Sequence, residues 1–403
     1  MNHRMNHRMN RRHFLAAAAA LSTWPLAGRL WAAPVATPRF LLVFLRGGYD
    51  CANFLVPYSS PDYYDLRPHI AVPRPDPAAP AGALALDGDW ALAPAVRDVL
   101  GPLYTNRQLA FIPFAGTDDL SRSHFETQDS IELGQPVGGS RDLRSGFLAR
   151  LATVLGGATP IAFTDALPLI FQGQANVPNL SLKAVGKSVF DERQSRILSS
   201  MYAGSRLQPA VAEGLELRQE VSRTMADEMA AANRGAVTTR GFELEAERMA
   251  RLMHEQYRLG FVDVGGWDTH VNEGSAQGQL ASNLQSLSRG LGSYAAALGS
   301  EWANTVVVVV SEFGRTFREN GNQGTDHGHG SVYWVLGGSL QGGRIAGEQV
   351  RVGASTLFQQ RDYPVLNDYR AVLAGLFRRL WGLSGAQLDR VFPLAAPIDL
   401  KLV

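Results

Sequence analysis

Four of the nine histidines in this chain, His124, His270, His327 and His329, stand among carboxylates, serines and glycines rather than inside apolar runs. Asp50, Asp268 and Glu312 stand in the same kind of stretch. Asp50, Asp268, His270, Glu312, His327 and His329 together make a mixed oxygen and nitrogen donor set. Such a set suits Zn²⁺ or Mn²⁺, as one or two ions, better than Ca²⁺, which takes oxygen alone. The competing reading is that these histidines hydrogen-bond loop backbone and hold no ion. A metal held this way polarises a phosphoryl or sulfuryl oxygen and lowers the pKa of a bound water or serine hydroxyl. Ser123 stands where such a hydroxyl is needed. With Glu126 three positions on it forms a capping-box pattern, which puts it at a helix N-terminus where backbone N–H groups face an anion. Ser123 is therefore either a nucleophile or simply a cap. Arg46 and Arg315, with Arg122, lie beside these motifs as bidentate contacts to an ester oxyanion or as loop salt bridges.

Apolar strands must carry these residues. The stretch from Thr305 opens with five consecutive valines, too few to span a membrane and too β-branched for a comfortable helix, so it reads as a strand buried on both faces of a parallel sheet. Ser311, Glu312 and Arg315 follow at once. Arg39 to Leu45 is a second such strand, running into Arg46-Gly47-Gly48-Tyr49-Asp50. Leu109 to Phe114 is a third, followed by a helix from Ser123 through Leu133, and Leu259 to Val264 runs into Gly265-Gly266-Trp267-Asp268-Thr269-His270. Ligands in open α/β sheets bind outside the carboxyl ends of strands, which is where these polar clusters fall. Ser331 to Leu336 reads as a further strand, and helices are expected over Val211 to Ala231, Phe242 to Tyr257, Gln279 to Leu298 and Asp368 to Leu380. The alternation gives one α/β domain with a mostly parallel sheet. Residues Tyr58 to Asp89, rich in Pro, Ala and Asp, read as a long surface excursion. The stretch from about 141 to 258 reads as a helical insertion with one apolar run at Leu167 to Phe171 and no chemical motif.

With 45% hydrophobic and 19% charged residues and a net charge of +1, the composition is that of a globular protein with a large core, and nothing in it points to nucleic acid. Residues 1–35 differ. Arg11-Arg12-His13-Phe14-Leu15 precedes an apolar run that Pro25 and Arg29 cut short of the roughly 20 residues a membrane span needs. The segment resembles a twin-arginine export signal. That implies the twin-arginine machinery as a partner and a periplasmic or secreted destination for residues 36–403, with no stable membrane span. Cys51 is the single cysteine, so no intramolecular disulfide can form.

The motifs FLRGGYD, SRSHFETQD, GGWDTH, VVVSEFGRTFRENG and GTDHGHG resemble the bacterial family called domain of unknown function 1501, within the alkaline phosphatase-like superfamily. The resemblance implies a three-layer α/β/α fold with a mostly parallel central sheet. It also implies a metal-dependent hydrolase of small anionic phosphate or sulfate esters, with Asp50, Ser123, Asp268, His270, Glu312 and His327 or His329 in the superfamily's order. Phe313 stands where that pattern has a histidine, so one nitrogen ligand is missing unless His329 supplies it. Cys51 is followed by Ala52-Asn53-Phe54-Leu55, which lacks the C-x-P-x-R pattern of sulfatases that use an oxidised cysteine. The rival expectation is an exported, non-catalytic binding or assembly factor on the same scaffold.

Overall fold

Every residue of the strand Arg39–Leu45 (β1) is buried, and its side chains part between two cores. Leu41, Val43 and Leu45 belong to one core, and Phe40, Leu42 and Phe44 to the other. The valine strand Thr305–Ser311 divides in the same way, with Val307 and Val309 on one face and Val306, Val308 and Val310 on the other. A sheet covered on both faces makes its central strands continuous apolar runs, because both sets of alternating side chains leave water. Each fully buried Leu or Phe contributes roughly 1.5–3 kcal/mol.

The computed structural model describes residues 38–173, 177–181, 192–216 and 242–403. Residues 1–35, read as the export signal, lie outside it, as does most of the helix expected over 211–231. Pro38–Val403 forms one compact unit. Its large sheet contains β1, Leu109–Gly116 (β2), Pro160–Phe163 (β3), Leu259–Val264 (β4), Thr305–Ser311 (β5), Ser331–Gly337 (β6), Arg344–Ile345 (β7) and Asn367–Asp368 (β8). The order across it is β7-β2-β6-β5-β1-β4-β3, with β8 also paired to β2. All the pairings are parallel except those of β6, which runs antiparallel to both β2 and β5. Helices Phe242–Glu255 and Gln279–Leu298 pack into one core. Phe147–Leu155, Tyr369–Trp381 and Gly385–Val391 pack into the other. The result is a three-layer α/β/α arrangement with a mostly parallel sheet. Among the described residues no helix is long and apolar enough to cross a membrane.

Three details differ from the sequence reading. Within the presumed helical insertion, Pro160–Phe163 is an edge strand, a position where a leading proline costs no ladder bond. The apolar run nearby instead makes a 3₁₀ turn at Leu169–Phe171 after Pro168. The Pro-rich stretch from Tyr58 is no mere excursion, since it buries Tyr63, Arg67, Ile70 and Val72 completely or almost so.

Strand direction decides where the polar residues meet. Leu45 is level with both Ser311 and Val264, so the chains leaving β1, β4 and β5 emerge side by side. Because β6 is antiparallel, its amino end lies at that same edge, and the loop leading into Ser331 brings His327 with it. Two glycines permit the crowding. Gly47 has a φ of +126°, and a Cβ there would lie 2.7 Å from the Asp268 nitrogen. A Cβ on Gly314 would lie 2.1 Å from the Gly330 carbonyl oxygen. Gly47→Ala meets both backbone strain and a backbone clash, so a loss of about 1–3 kcal/mol is expected in denaturant melts. Wild-type stability in that variant would mean that the Trp267–Asp268 loop moves aside freely.

Candidate metal centre at the carboxyl edge of the sheet

Three imidazoles converge on Asp268. His270 Nε2 lies 2.9 Å from Asp268 Oδ1, His327 Nε2 3.3 Å from the same oxygen, and His124 Nε2 3.6 Å from Oδ2. In each ring the other nitrogen faces an oxygen. His124 Nδ1 is 2.8 Å from Glu312 Oε1, His327 Nδ1 3.0 Å from the Arg122 carbonyl, and His270 Nδ1 3.4 Å from Asp326 Oδ1. A carbonyl only accepts, so the neutral His327 ring carries its proton on Nδ1, which leaves the Nε2 lone pair facing Asp268. Metal-bound histidines are oriented in this way, the far nitrogen donating to a carboxylate or carbonyl.

His124, Asp268 and His327 each offer an atom within 4.8 Å of the other two. His124 Nε2 is buried and has no hydrogen-bond partner, an unmet polar atom that a cation would satisfy. The Nε2 atoms of His270 and His327 face each other at 3.2 Å, a contact that calls for a proton or a cation between two lone pairs. Zn–N and Zn–O bonds of about 2.0–2.1 Å give tetrahedral donor–donor edges of roughly 3.4 Å, which matches this spacing. The residues therefore fit a divalent ion with nitrogen and oxygen ligands. One contact opposes it: Arg315 donates to Asp268 Oδ1 at 2.5 Å, placing a positive charge there already. Asp268 Oδ2, turned toward His124, remains open to a second cation.

Electrostatics follow from these contacts. The hydrogen bond to Glu312 raises the His124 pKa against the effect of burial. Burial, with the charges of His124 and Arg315, lowers that of His327, which keeps its ring neutral. Burial works to raise the Asp268 pKa, but Arg315 more than offsets it and the carboxylate is held below its usual range.

Not every expected ligand joins this group. Glu312 is buried and accepts from Gly47 N (2.8 Å), His124 Nδ1 (2.8 Å), Gln128 Nε2 (2.9 Å) and Ser311 Oγ (2.9 Å). It stands behind His124 instead of beside it, and those bonds lower its pKa despite burial. Asp50 is buried in a salt bridge with Arg67. His329 lies beside the Phe358 ring, centroids 5.1 Å apart, and burial followed by the charge of Arg122 lowers its pKa to about 4. His124, which the ligand set read from sequence omitted, brings an imidazole nitrogen to within 3.6 Å of Asp268. Phe313 walls the site, its ring 5.0 Å from both His124 and His327.

The three arginines expected at an oxyanion all bond protein groups, Arg122 to Asp362 (2.6 Å) and Gln359 (2.9 Å). Arg46 bonds Asp263 (2.8 Å), Gln128 (2.9 Å) and Glu132 (2.8 Å). Arg315, with a side chain fully removed from water, donates to the carbonyls of Gly47 (2.6 Å), Gly48, Trp267 (3.1 Å) and Thr325 (3.1 Å) as well as to Asp268. It clamps three loops together. Ser123 is the residue before helix His124–Leu133, as expected, but its hydroxyl makes no cap bond. The Arg122 carbonyl held by His327 belongs to the peptide that leads into Ser123.

A sequence profile for a family described as a protein of unknown function (DUF1501) matches residues 37–392. No curated protein matches. Among solved structures, a protein in the alkaline phosphatase superfamily from Vibrio parahaemolyticus aligns at 12% identity and TM-score 0.36, over 77% of this chain and 62% of that one. The chain thus spans under two thirds of that protein. The lipoteichoic acid synthase LtaP from Listeria monocytogenes aligns at 7% identity and TM-score 0.41, over 90% of this chain and 76% of that one. The C-terminal periplasmic domain of EcEptC from Escherichia coli, in complex with Zn, aligns at 7% and TM-score 0.36, over 75% and 74%.

Proposed function

The chain belongs to the DUF1501 family, and from that premise, together with the convergence of His124, Asp268 and His327, we propose that it is a metal-dependent hydrolase of phosphate or sulfate esters. The observation that carries this reading is the buried, unpartnered Nε2 of His124, aimed at Asp268 while Nδ1 is tied to Glu312. A Zn²⁺ or Mn²⁺ ion held by His124, Asp268 and His327, with His270 alongside, supplies Lewis acidity toward a phosphoryl or sulfuryl oxygen. Glu312 orients His124, and Arg315 fixes Asp268 against the Gly47 and Trp267 loops. The N-terminus of helix His124–Leu133 offers backbone N–H groups to the anionic ester. Ser123 Oγ attacks phosphorus or sulfur, the ester oxygen leaves with a proton as an alcohol, and water then releases the acid from the serine.

Export through the twin-arginine machinery, with residues 1–35 as signal, is part of the same proposal. Arg11→Lys with Arg12→Lys is expected to leave full-length precursor in the cytoplasm on cell fractionation. Normal periplasmic yield would remove the export claim.

The metal is tested by melting. Ligands drawn from distant parts of the chain do not exist as a site in the unfolded state, so metal binding adds to stability. Ion at 100 times its Kd is expected to stabilise chelator-treated protein by about 2.7 kcal/mol. His124→Ala and Asp268→Ala should abolish that response, and Glu312→Gln should weaken metal affinity about 10–100-fold in titration calorimetry. A melting temperature indifferent to chelator, Zn²⁺ and Mn²⁺ would sink the proposal. One observation favours the rival, a non-catalytic exported binding or assembly factor: Arg315 is fully engaged with backbone carbonyls and Asp268, and three of the five Arg46 N–H groups are already bonded to Asp263, Gln128 and Glu132.

A further inference from the structure

Next to the candidate centre lies a second set of ionisable side chains that the proposed chemistry does not use. Asp50, Arg67 and Glu273 are all essentially removed from water. The Arg67 guanidinium donates to both Asp50 carboxylate oxygens, one of them at 3.0 Å, to Asn53 Oδ1 at 3.0 Å, and to the carbonyls of Thr316 at 2.9 Å and Phe317 at 2.6 Å. Every acceptor is oxygen. Carboxylate, amide and backbone oxygens are the donors that hard divalent cations take, so this cage has the chemistry of a cation site with a guanidinium inside it. The cage hangs on the metal loop. Glu273 Oε2 accepts from Thr269, the residue between Asp268 and His270, at 2.8 Å, and from Thr325 at 2.9 Å.

We propose that Arg67 is the permanent cation of this cage, so that the described residues take one divalent ion, at His124, Asp268 and His327, and hold no second metal site. The inference rests on the hydrolase reading for the identity of that one ion. Asp50 and Glu312, two oxygen ligands on which a second ion would depend, are both committed elsewhere. Asp50 is matched in two-point contact by Arg67, and Glu312 accepts from four donors. Charge agrees with geometry. Burial opposes ionisation of Asp50, but Arg67 holds it as a carboxylate, while burial and the Asp50 charge push Glu273 well above the usual carboxyl range. The Asp50 charge is thus met by Arg67, and the shift at Glu273 works against a second negative charge that would attract a divalent ion.

Stoichiometry tests this directly. Wild-type protein is saturated with Zn²⁺, and in parallel with Mn²⁺, freed of excess by equilibrium dialysis, and assayed for metal per chain by elemental analysis. One ion per chain is expected, falling to near zero in His124→Gln and in Asp268→Asn. Two ions in the wild type overturn the single-site inference and leave the hydrolase reading standing. No ion overturns both. A full ion retained by His124→Gln and Asp268→Asn also overturns the inference, because the metal then sits elsewhere, with the Asp50 cage the first place to look.

Discussion

Arg67→Met is expected to lose about 3–5 kcal/mol of folding stability, because it leaves the Asp50 carboxylate buried without its counter-charge. The pair is 0% and 1% exposed, so water cannot replace the lost donors. Asn53 and the Thr316 and Phe317 carbonyls lose partners in the same stroke. Arg67→Lys keeps the charge but not the planar fork, and one ammonium cannot serve five acceptors, so a loss between wild type and methionine is expected. Arg67→Met combined with Asp50→Leu should recover part of the loss, since removing both members of a buried pair is far cheaper than removing one. Urea denaturation measures all three. A methionine variant within about 1 kcal/mol of wild type would mean that the site relaxes or floods, and that the salt bridge counts for little.

The central strands were legible because burial on both faces leaves an unbroken apolar run in the sequence. Arg39–Leu45 has the bounds that its run suggested, as does Leu259–Val264 although Gly260 and Asp263 interrupt its apolar residues, while the valine strand takes in Ser311, which the sequence reading sets after it. Direction was not legible. Ser331–Gly337 has the composition of its neighbours, and only its pairing with Leu109–Gly116 and Thr305–Ser311 makes it antiparallel. Pro160–Phe163 escaped notice because a four-residue edge strand beginning with proline has too little apolar length to stand out, while the longer run at Leu167–Phe171 contains Pro168 and turns.

For the candidate site, residue types and strand ends located loops that converge but not the contacts made within them. Asp268, His270 and His327 lie together, whereas Glu312 bonds His124 and stands away from Asp268. A carboxylate's type says that it can bind a metal, but the number of donors already aimed at it decides whether it does. Those donors, Gly47 N, His124 and Gln128 of one helix, and Ser311, come from three separate segments. His124 carried a signal in its polar surroundings, but the capping pair Ser123 and Glu126 draws the reading of that stretch and leaves His124 out of the ligand set. Arg67 gave none, since it lies in a Pro- and Asp-rich stretch and meets Asp50 only through the fold.

Ser123→Gly is expected to reduce hydrolysis of a chromogenic phosphate or sulfate ester on the order of 10³-fold or more, with metal content unchanged. A catalytic hydroxyl and a capping hydroxyl are usually hard to separate, because both are lost together. Here they separate. The Ser123 side chain makes no cap bond, so the roughly 0.5–2 kcal/mol that loss of a capping serine costs is largely absent from the start. Glycine also suits the N-cap position almost as well as serine, costing only a few tenths of a kcal/mol. Melting temperature should therefore stay near wild type while turnover falls. Ser121 is a poorer stand-in, since its Oγ already pairs with Thr127 Oγ1 at 3.3 Å and accepts from the Ser123 N–H at 3.3 Å. A stable Ser123→Gly protein that keeps its turnover would remove the serine from the reaction and leave direct attack by water at the His124, Asp268 and His327 centre as the route to test next.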